Sequence, residues 1–399
     1  MTINVNKKSF NFREKLTELE RPIGLKGSEL MKAETAQEAR DFISAGRKNK
    51  IINGAMLIDQ RHGGNSNTNS NGYHTDRFRS QVSGMDQLVQ TYQQVSDGPP
   101  GFPKSLKVTT TTPESAFAAG EYIAIYQKIP GRELQDFAYG TSSAKPVTIS
   151  FYVKSSITGT FGYTVYRNDN QDRAINKTYT IINANTWEKK SITLEGDTED
   201  PISNLNTDQW WNVWHLGAAD GYKSAPNSNW KNYTGQNWAG FHEGNRMVTT
   251  QNATWQITGV QLEVGSNATE FEHRSSAEEL ALCERYYEVI WQNNNSSSPH
   301  SGGDGYNTIA AGAYTGSHGY YVWNYRTQKR VRPSIDYAGK FRVLGGASVS
   351  NLLPNEFYSP GLDAARIRVP HSGSNGQAFV LEFDGGNSSN GYISASAEL

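Results

Sequence analysis

Cysteine is almost absent from this chain of 399 residues: Cys283 stands alone. No internal disulfide and no cysteine metal cluster is therefore available. Charge is also scarce, with Asp, Glu, Lys and Arg at 19% and a formal net charge of −1. That balance gives no electrostatic reason to bind nucleic acid, whose phosphates attract a basic surface. No apolar run approaches the roughly 20 residues that cross a bilayer, and the N-terminal stretch has no signal-peptide apolar region. The expectation is a product of a cytosol with no membrane insertion. The eight histidines form no H-x-x-H or H-E-x-x-H pattern, so no zinc or other metal site is expected. Gly-Gly pairs at 63–64, 302–303, 345–346 and 385–386 lack a following Gly-Lys-Ser/Thr, so no phosphate loop and no cofactor is implied.

What is present is glycine (38), tyrosine (21), tryptophan (9) and many Asn, Ser and Thr. Such a chain suits a mainly β protein with long polar loops, and its length implies two or three domains. Val147, Ile149, Phe151 and Val153 alternate with Thr148, Ser150, Tyr152 and Lys154, the pattern of a half-buried strand. Further strands are expected at Leu106–Thr110, Tyr122–Ile129, Phe161–Tyr166, Tyr179–Ile182, Lys190–Leu194 and Trp255–Val264, with a bulge at Thr258-Gly259. Many antiparallel strands without intervening helices predict a jelly-roll sandwich over 51–274.

At Ser275-Ser276-Ala277-Glu278 a capping box opens a short helix carrying Leu280, Cys283 and Tyr287. Cys283 reads as a buried thiol, with no evident base to activate it. After the polar loop Gln292–Gly305, strands resume at Tyr306–Ala313, Gly319–Tyr325, Lys340–Leu344, Arg366–Val369, Ala378–Phe383 and Tyr392–Ser396. The helix and a second, smaller β-sandwich are therefore expected over 275–399. Residues 1–50 differ: eleven Lys and Arg against seven Asp and Glu, without Trp or Tyr. A helix is expected at Thr35–Gly46, whose narrow stripe of Ala36, Ala39, Phe42 and Ile43 needs a partner. Another copy of the chain or a different protein would serve, and a frayed tail is the alternative.

Residues 205–247 hold five tryptophans, Trp210, Trp211, Trp214, Trp230 and Trp238, with little alternation. They read as a long loop excursion packed by its own rings. Exposed indole and phenol rings also stack on the apolar faces of sugars, while Asn and Asp bond the hydroxyls. Trp211, Trp230, Tyr222 and Tyr233 are the candidate glycan-binding residues, and a ring plug closing the loop is the competing reading. The carboxylates available to a glycosidase are Asp197, Glu199 and Asp200, or Asp220 with Glu243. Asp197–Pro201 reads rather as a solvated turn, with cation binding as a weaker alternative, and no catalytic residue is assigned.

Ile51–Met56 with Asp76-Arg77-Phe78, Lys145–Ser156 with Gly159-Thr160, and Ile257–Gly265 with Phe271–Arg274 and Glu279–Tyr287 form a set. Together they resemble virion fibre and appendage proteins of tailed bacteriophages, of the type infecting marine bacteria and cyanobacteria. Thr35–Gly46 is similar to the helical linker ahead of trimeric fibre heads, and Lys329–Ile335 and Gly391–Leu399 are loosely similar to fibre tips. The resemblance implies a structural, carbohydrate-binding-like jelly-roll module and carries no catalytic residue set. It implies a non-enzymatic tail fibre resident in the virion and made in the host cytoplasm. Such a fibre would be a homotrimer, attached to other virion proteins of tail or capsid through residues 1–50, and would recognise a host-surface polysaccharide. A purely structural capsid fibre or decoration protein is the alternative, and a glycan depolymerase the third.

Overall fold

The structure is a computed structural model. It describes residues 47–115, 118–169, 171–224, 226, 229–235, 239–240, 246–291, 308–315, 318–339, 341–344, 349–352, 356–358, 360–370, 376, 378–383 and 391–399. The expected Thr35–Gly46 helix, nearly all of the 1–50 segment, Trp238, Glu243 and the Gln292–Gly305 loop lie outside the described residues.

Asn49–Leu399 forms one unit. Its first sandwich begins with Tyr73–Thr75 (β1), Phe78–Ser83 (β2), Val89–Val95 (β3), Ser105–Thr112 (β4) and Tyr122–Pro130 (β5). Val147–Ser155 (β6), Gly159–Arg167 (β7), Arg173–Ile181 (β8), Glu188–Leu194 (β9) and Asp208–Ala218 (β10) follow. Three two-residue pieces, Lys223–Ser224 (β11), Lys231–Asn232 (β12) and Ala239–Gly240 (β13), lead into Thr254–Val264 (β14). One sheet runs β1-β2-β5-β10-β7-β8-β12 and the other β3-β4-β14-β6-β9, all pairings antiparallel. The chain passes repeatedly between the two, giving the expected jelly-roll sandwich.

Its core is the set of inward residues that alternation marked out. Val147, Ile149, Phe151 and Val153 of β6 are fully buried with Ile257, Val260 and Leu262 of β14 and Phe161, Tyr163 and Val165 of β7. The expected bulge is present: β14 pairs Thr258 with Tyr152, then shifts so that Gln261 faces Ser150. Gly259 supplies the left-handed turn at φ 61. The entry segment explains its own glycine here. Val260 donates its N–H to the Gly54 carbonyl at 2.9 Å, and a Cβ on Gly54 would meet the Val260 carbonyl oxygen at 2.1 Å.

The excursion expected over 205–247 begins instead as the central strand β10, eleven residues long. Its sequence WWNVWHLGA does not alternate because both of its faces are covered. Trp210, Trp214 and Leu216 enter the main core, while Val213 and Ala218 enter a second cluster on the far side. A strand buried on two sides reads as a continuous apolar run, not as period two.

The junction helix spans Ser276–Glu284, with the Ser275 side chain accepting from the Glu278 N–H at 3.3 Å. Burial pushes the Cys283 thiol well above its usual pKa, as suits a packed, unreactive group. Beyond it lie Tyr287–Trp291 (β15), Thr308–Thr315 (β16), His318–Asn324 (β17), Ser334–Ala338 (β18) and Phe341–Leu344 (β19). Val349–Leu352 (β20), Glu356–Tyr358 (β21), Ala364–Pro370 (β22), Ala378–Phe383 (β23) and Tyr392–Ser396 (β24) complete it. A three-stranded sheet, β15-β24-β18, faces a seven-stranded one, β20-β19-β23-β16-β17-β22-β21. Trp323, Phe341, Ile367, Phe383 and Ile393 fill the space between.

Buried cations tie this second sandwich to the first. The Arg77 guanidinium lies 3.6 Å from the Tyr286 ring centre and pairs with Glu398. Arg61 sits 3.6 Å over Tyr287 and pairs with Glu398 at 3.2 Å. Burial raises the Asp76 carboxyl to about 6 even though Arg61 and Gln60 oppose the shift. No helix among the described residues is long and apolar enough to cross a membrane.

Candidate functional site

The outward face of the seven-stranded sheet of the first sandwich carries a row of rings. Register sets the row. On β10, Trp211 lies opposite Lys128 of β5 and Tyr166 of β7, and Val213 lies opposite Tyr126 of β5. Tyr126 stacks on Trp211 with ring centres 5.5 Å apart and planes 14° apart. Tyr166 meets the same indole edge-on at 5.3 Å. The Lys128 ammonium sits 3.6 Å over the indole and pairs with Asp208 at 2.8 Å. Burial pulls the Lys128 pKa down, with the pair to Asp208 opposing.

The chain after β10 folds back onto this face. Ala239 of β13 is fully buried with Ala124, Tyr126, Val213 and Ala218. Tyr222 packs edge-on against Tyr122 at 5.3 Å, and Tyr233 packs against Tyr166 at 4.8 Å. Tyr126 is buried, whereas Trp211, Tyr122, Tyr166, Tyr222 and Tyr233 are half-exposed. The cluster thus has a closed centre that fastens the excursion and an open rim of rings. Burial drives the Tyr122 phenol up to about 12 and raises Tyr166, whose hydroxyl is also held by Asp172. Both are neutral hydrogen-bonding groups at physiological pH.

Of the residues singled out in the sequence, Trp211, Tyr222 and Tyr233 come together here. Trp230 does not. It packs into the main core, edge-on to Trp210 at 5.6 Å and Tyr139 at 5.8 Å, and its indole N–H donates to the Glu195 carbonyl at 2.7 Å. Tyr122, Tyr126, Tyr166 and Lys128 were not singled out, although they complete the row. For those on β5 the signal lay in the strand itself, where Tyr122 and Tyr126 flank Ala124 at the outward parity while isoleucines fill the inward one.

The carboxylates are placed otherwise than the sequence suggests. Asp197–Pro201 is not a solvated turn, because the Asp197 and Asp200 side chains are buried. The reason lies in the β7–β8 hairpin, which sets Arg167 directly opposite Arg173. Two facing cations repel unless anions intervene. Asp197 accepts from Arg167 at 2.6 Å and from Arg173 at 2.7 Å, while Asp169 and Asp200 complete the Arg167 site at 2.6 and 3.2 Å. Burial lifts the Asp169 carboxyl to about 7, and the neighbouring Asp200 adds to the shift. Glu199 remains 72% exposed and Asp220 lies fully open to solvent beside Lys223. Among the described residues no group of three His, Cys, Asp or Glu side chains is arranged to hold a metal ion.

One arrangement has the connectivity of a nucleophile, a base and its orienter. His74 Nε2 is 2.7 Å from the Ser80 hydroxyl, and Nδ1 is 3.0 Å from the Asn67 side-chain oxygen. Both His74 and Ser80 are fully buried, with the imidazole stacked on Tyr92 at 3.7 Å and the hydroxyl donating to the Ser70 carbonyl. A nucleophile must be reached by its substrate, so this chain of hydrogen bonds is structural.

No family model matches the chain, and no curated protein matches it in sequence. Among solved structures it is similar to the enzymatically active domain of tailspike protein 4 of bacteriophage CBA120. That match has 13% identity and a TM-score of 0.29, over 54% of this chain and 21% of that one. The chain therefore spans about a fifth of the tailspike's length. It is also similar to the family 11 carbohydrate-binding module of the Clostridium thermocellum cellulase Lic26A-Cel5E, at 10% identity and TM-score 0.27, over 52% and 98%. A third likeness is to the CBM22-1–GH10 modules of C. thermocellum xylanase 10B complexed with xylohexaose, at 12% identity and TM-score 0.27, over 53% and 30%.

Proposed function

We propose that this protein is a non-enzymatic fibre component of a tailed phage that binds a host-surface glycan on the outward face of its seven-stranded sheet. The observation that carries the glycan reading is the open rim of half-exposed rings, with Trp211, Tyr122 and Tyr166 set on strands and Tyr222 and Tyr233 on the excursion packed over them. Rings present a flat apolar surface to the C–H face of a sugar, and the neutral Tyr hydroxyls beside them offer directional hydrogen bonds. Virion placement, attachment through residues 1–50 and homotrimeric assembly complete the proposal and follow from the sequence resemblance. Three copies would raise the avidity of a weak site by a factor on the order of 10²–10⁴. A glycan array probed with the full chain and with Trp211→Ala tests the site. Retention by defined glycans that is lost in the variant supports it, and no retention of either protein refutes it.

A purely structural role has its own support. The buried centre of the same cluster, Tyr126, Val213, Ala218 and Ala239, is what a loop plug requires. In that reading Trp211→Ala lowers stability and no sugar is bound. Release of reducing ends from host polysaccharide would speak for a depolymerase instead.

A further inference from the structure

On the ring-bearing face Arg79 has no carboxylate partner among the described residues. Arg79 of β2 lies directly opposite Tyr126 of β5 and opposite Tyr73 of β1. Its guanidinium sits 5.7 Å from the Tyr126 ring and 5.8 Å from the Tyr73 ring, and it is half-buried between them. No ion pair joins it to a carboxylate among the described residues, and its Nε is buried without a hydrogen-bond partner. The neighbouring cations are answered: Lys128 by Asp208, Arg61 by Asp76 and Glu398, and Arg77 by Glu398. Arg79 is therefore the cation at this end of the face left without a carboxylate among the described residues.

A guanidinium stays charged at any physiological pH, and withdrawing it from water without a partner is costly. Its planar fork matches a carboxylate or sulfate better than it matches a neutral hydroxyl. Neighbouring strands stand about 5 Å apart, so Arg79 on β2 lies about 10 Å from Trp211 on β10, within the span of an oligosaccharide seated on the half-exposed rings. We infer that Arg79 makes this face selective for acidic polysaccharides, in which a carboxylate or sulfate ester is carried on or beside the stacked sugar. This rests on the glycan-binding reading of the face and adds the class of ligand to it.

Affinity electrophoresis of the full chain tests the inference, using neutral polysaccharides and their carboxylated or sulfated counterparts in matched pairs. The wild type should bind the acidic member of at least one pair about tenfold more tightly, the size expected of one charge-assisted hydrogen-bonding contact. Arg79→Gln should remove that preference while retaining neutral binding. Arg79→Lys, which keeps the charge and loses the fork, should retain part of it and serves as the folding control. Lys189→Ala, on the other sheet, should change nothing. Preference for the carboxylated or the sulfated polymers identifies the anion. Equal affinity for neutral and acidic members, or an acidic preference that survives Arg79→Gln, overturns the role of Arg79 and leaves glycan binding standing. Binding to no member of the panel overturns both.

Discussion

Both sheets of the first sandwich are covered in part on their outward faces, and by different balances of contacts. The five-stranded sheet is covered in part by the chain that follows β14, held down by hydrogen bonds and by Phe271 packed edge-on against Phe102 at 4.9 Å. Glu263 accepts from the Thr269 backbone at 2.9 Å and hydroxyl at 2.6 Å, and Gln261 accepts from the Glu272 N–H at 2.8 Å. Thr148 donates to the Gly265 carbonyl at 2.7 Å. The seven-stranded sheet is covered by the excursion after β10, held down by Tyr126, Val213, Ala218 and Ala239 with Tyr122 and Tyr166 at the rim. In the first cover the polar groups are satisfied internally and the Phe271 ring closes on the buried Phe102, which leaves little for a ligand to take. A ring-based cover leaves unsaturated apolar surface at its edge, and that edge is where a sugar or a partner can gain free energy.

The comparison predicts unequal responses to the same insult. Val213→Asp places an unpaired carboxylate in the closed centre of the ring cluster and should destabilise the fold by at least about 3 kcal/mol. Ser191→Asp, exposed on the polar-covered sheet, should stay within about 0.5 kcal/mol of wild type in urea unfolding. Similar midpoints for the two would mean that the centre of the ring cluster is not closed. Next in size is Gly259→Ala on the polar-covered side. Its backbone sits at φ 61 and an added Cβ would lie 2.9 Å from the Phe102 and Tyr152 rings, so a loss of about 1–3 kcal/mol is expected. A neutral result in the same unfolding assay would mean that the bulge relaxes freely.

Trp211→Ala should weaken glycan binding about tenfold, the order of one aromatic contact. Tyr152→Ala, on the opposite sheet, should leave the isotherm unchanged, and a matching loss there would show that binding is not confined to the ring face. The smallest effect concerns pH. The Asp169 carboxyl titrates near 7 in the fold against 3.8 in the free residue. The folded chain therefore holds a proton that the unfolded chain releases, and the stability this gives is full below about pH 4 and lost as pH rises through 7. Asp169→Asn removes that titration, so thermal midpoints from pH 5 to 8 should fall less steeply than in wild type. An identical slope would mean that the acidic network around Arg167 is not proton-linked.

By itself the sequence determined the class of fold and most of its strands. In β6 one parity is apolar and the other polar, because one side meets a dry core and the other a hydrogen-bonded cover. The Ser275 cap and the Gly259 bulge were likewise visible, since each depends on neighbours a few residues away. Tertiary structure alone decided that β10 is the central strand, because a strand covered on both sides loses the alternation that marks it. It also decided the fate of each ring. Trp211 and Trp230 lie in similarly polar stretches of sequence, yet one stands on an outward face and the other fills the core beneath Tyr139 and Trp210. Asp197 and Asp200 look like a solvated turn until the hairpin register sets Arg167 against Arg173 and draws them inward. Local patterns fix which residues are strand and turn. Which strand is central, and which charge meets which, depends on pairings between segments far apart in the chain, and no local pattern encodes those.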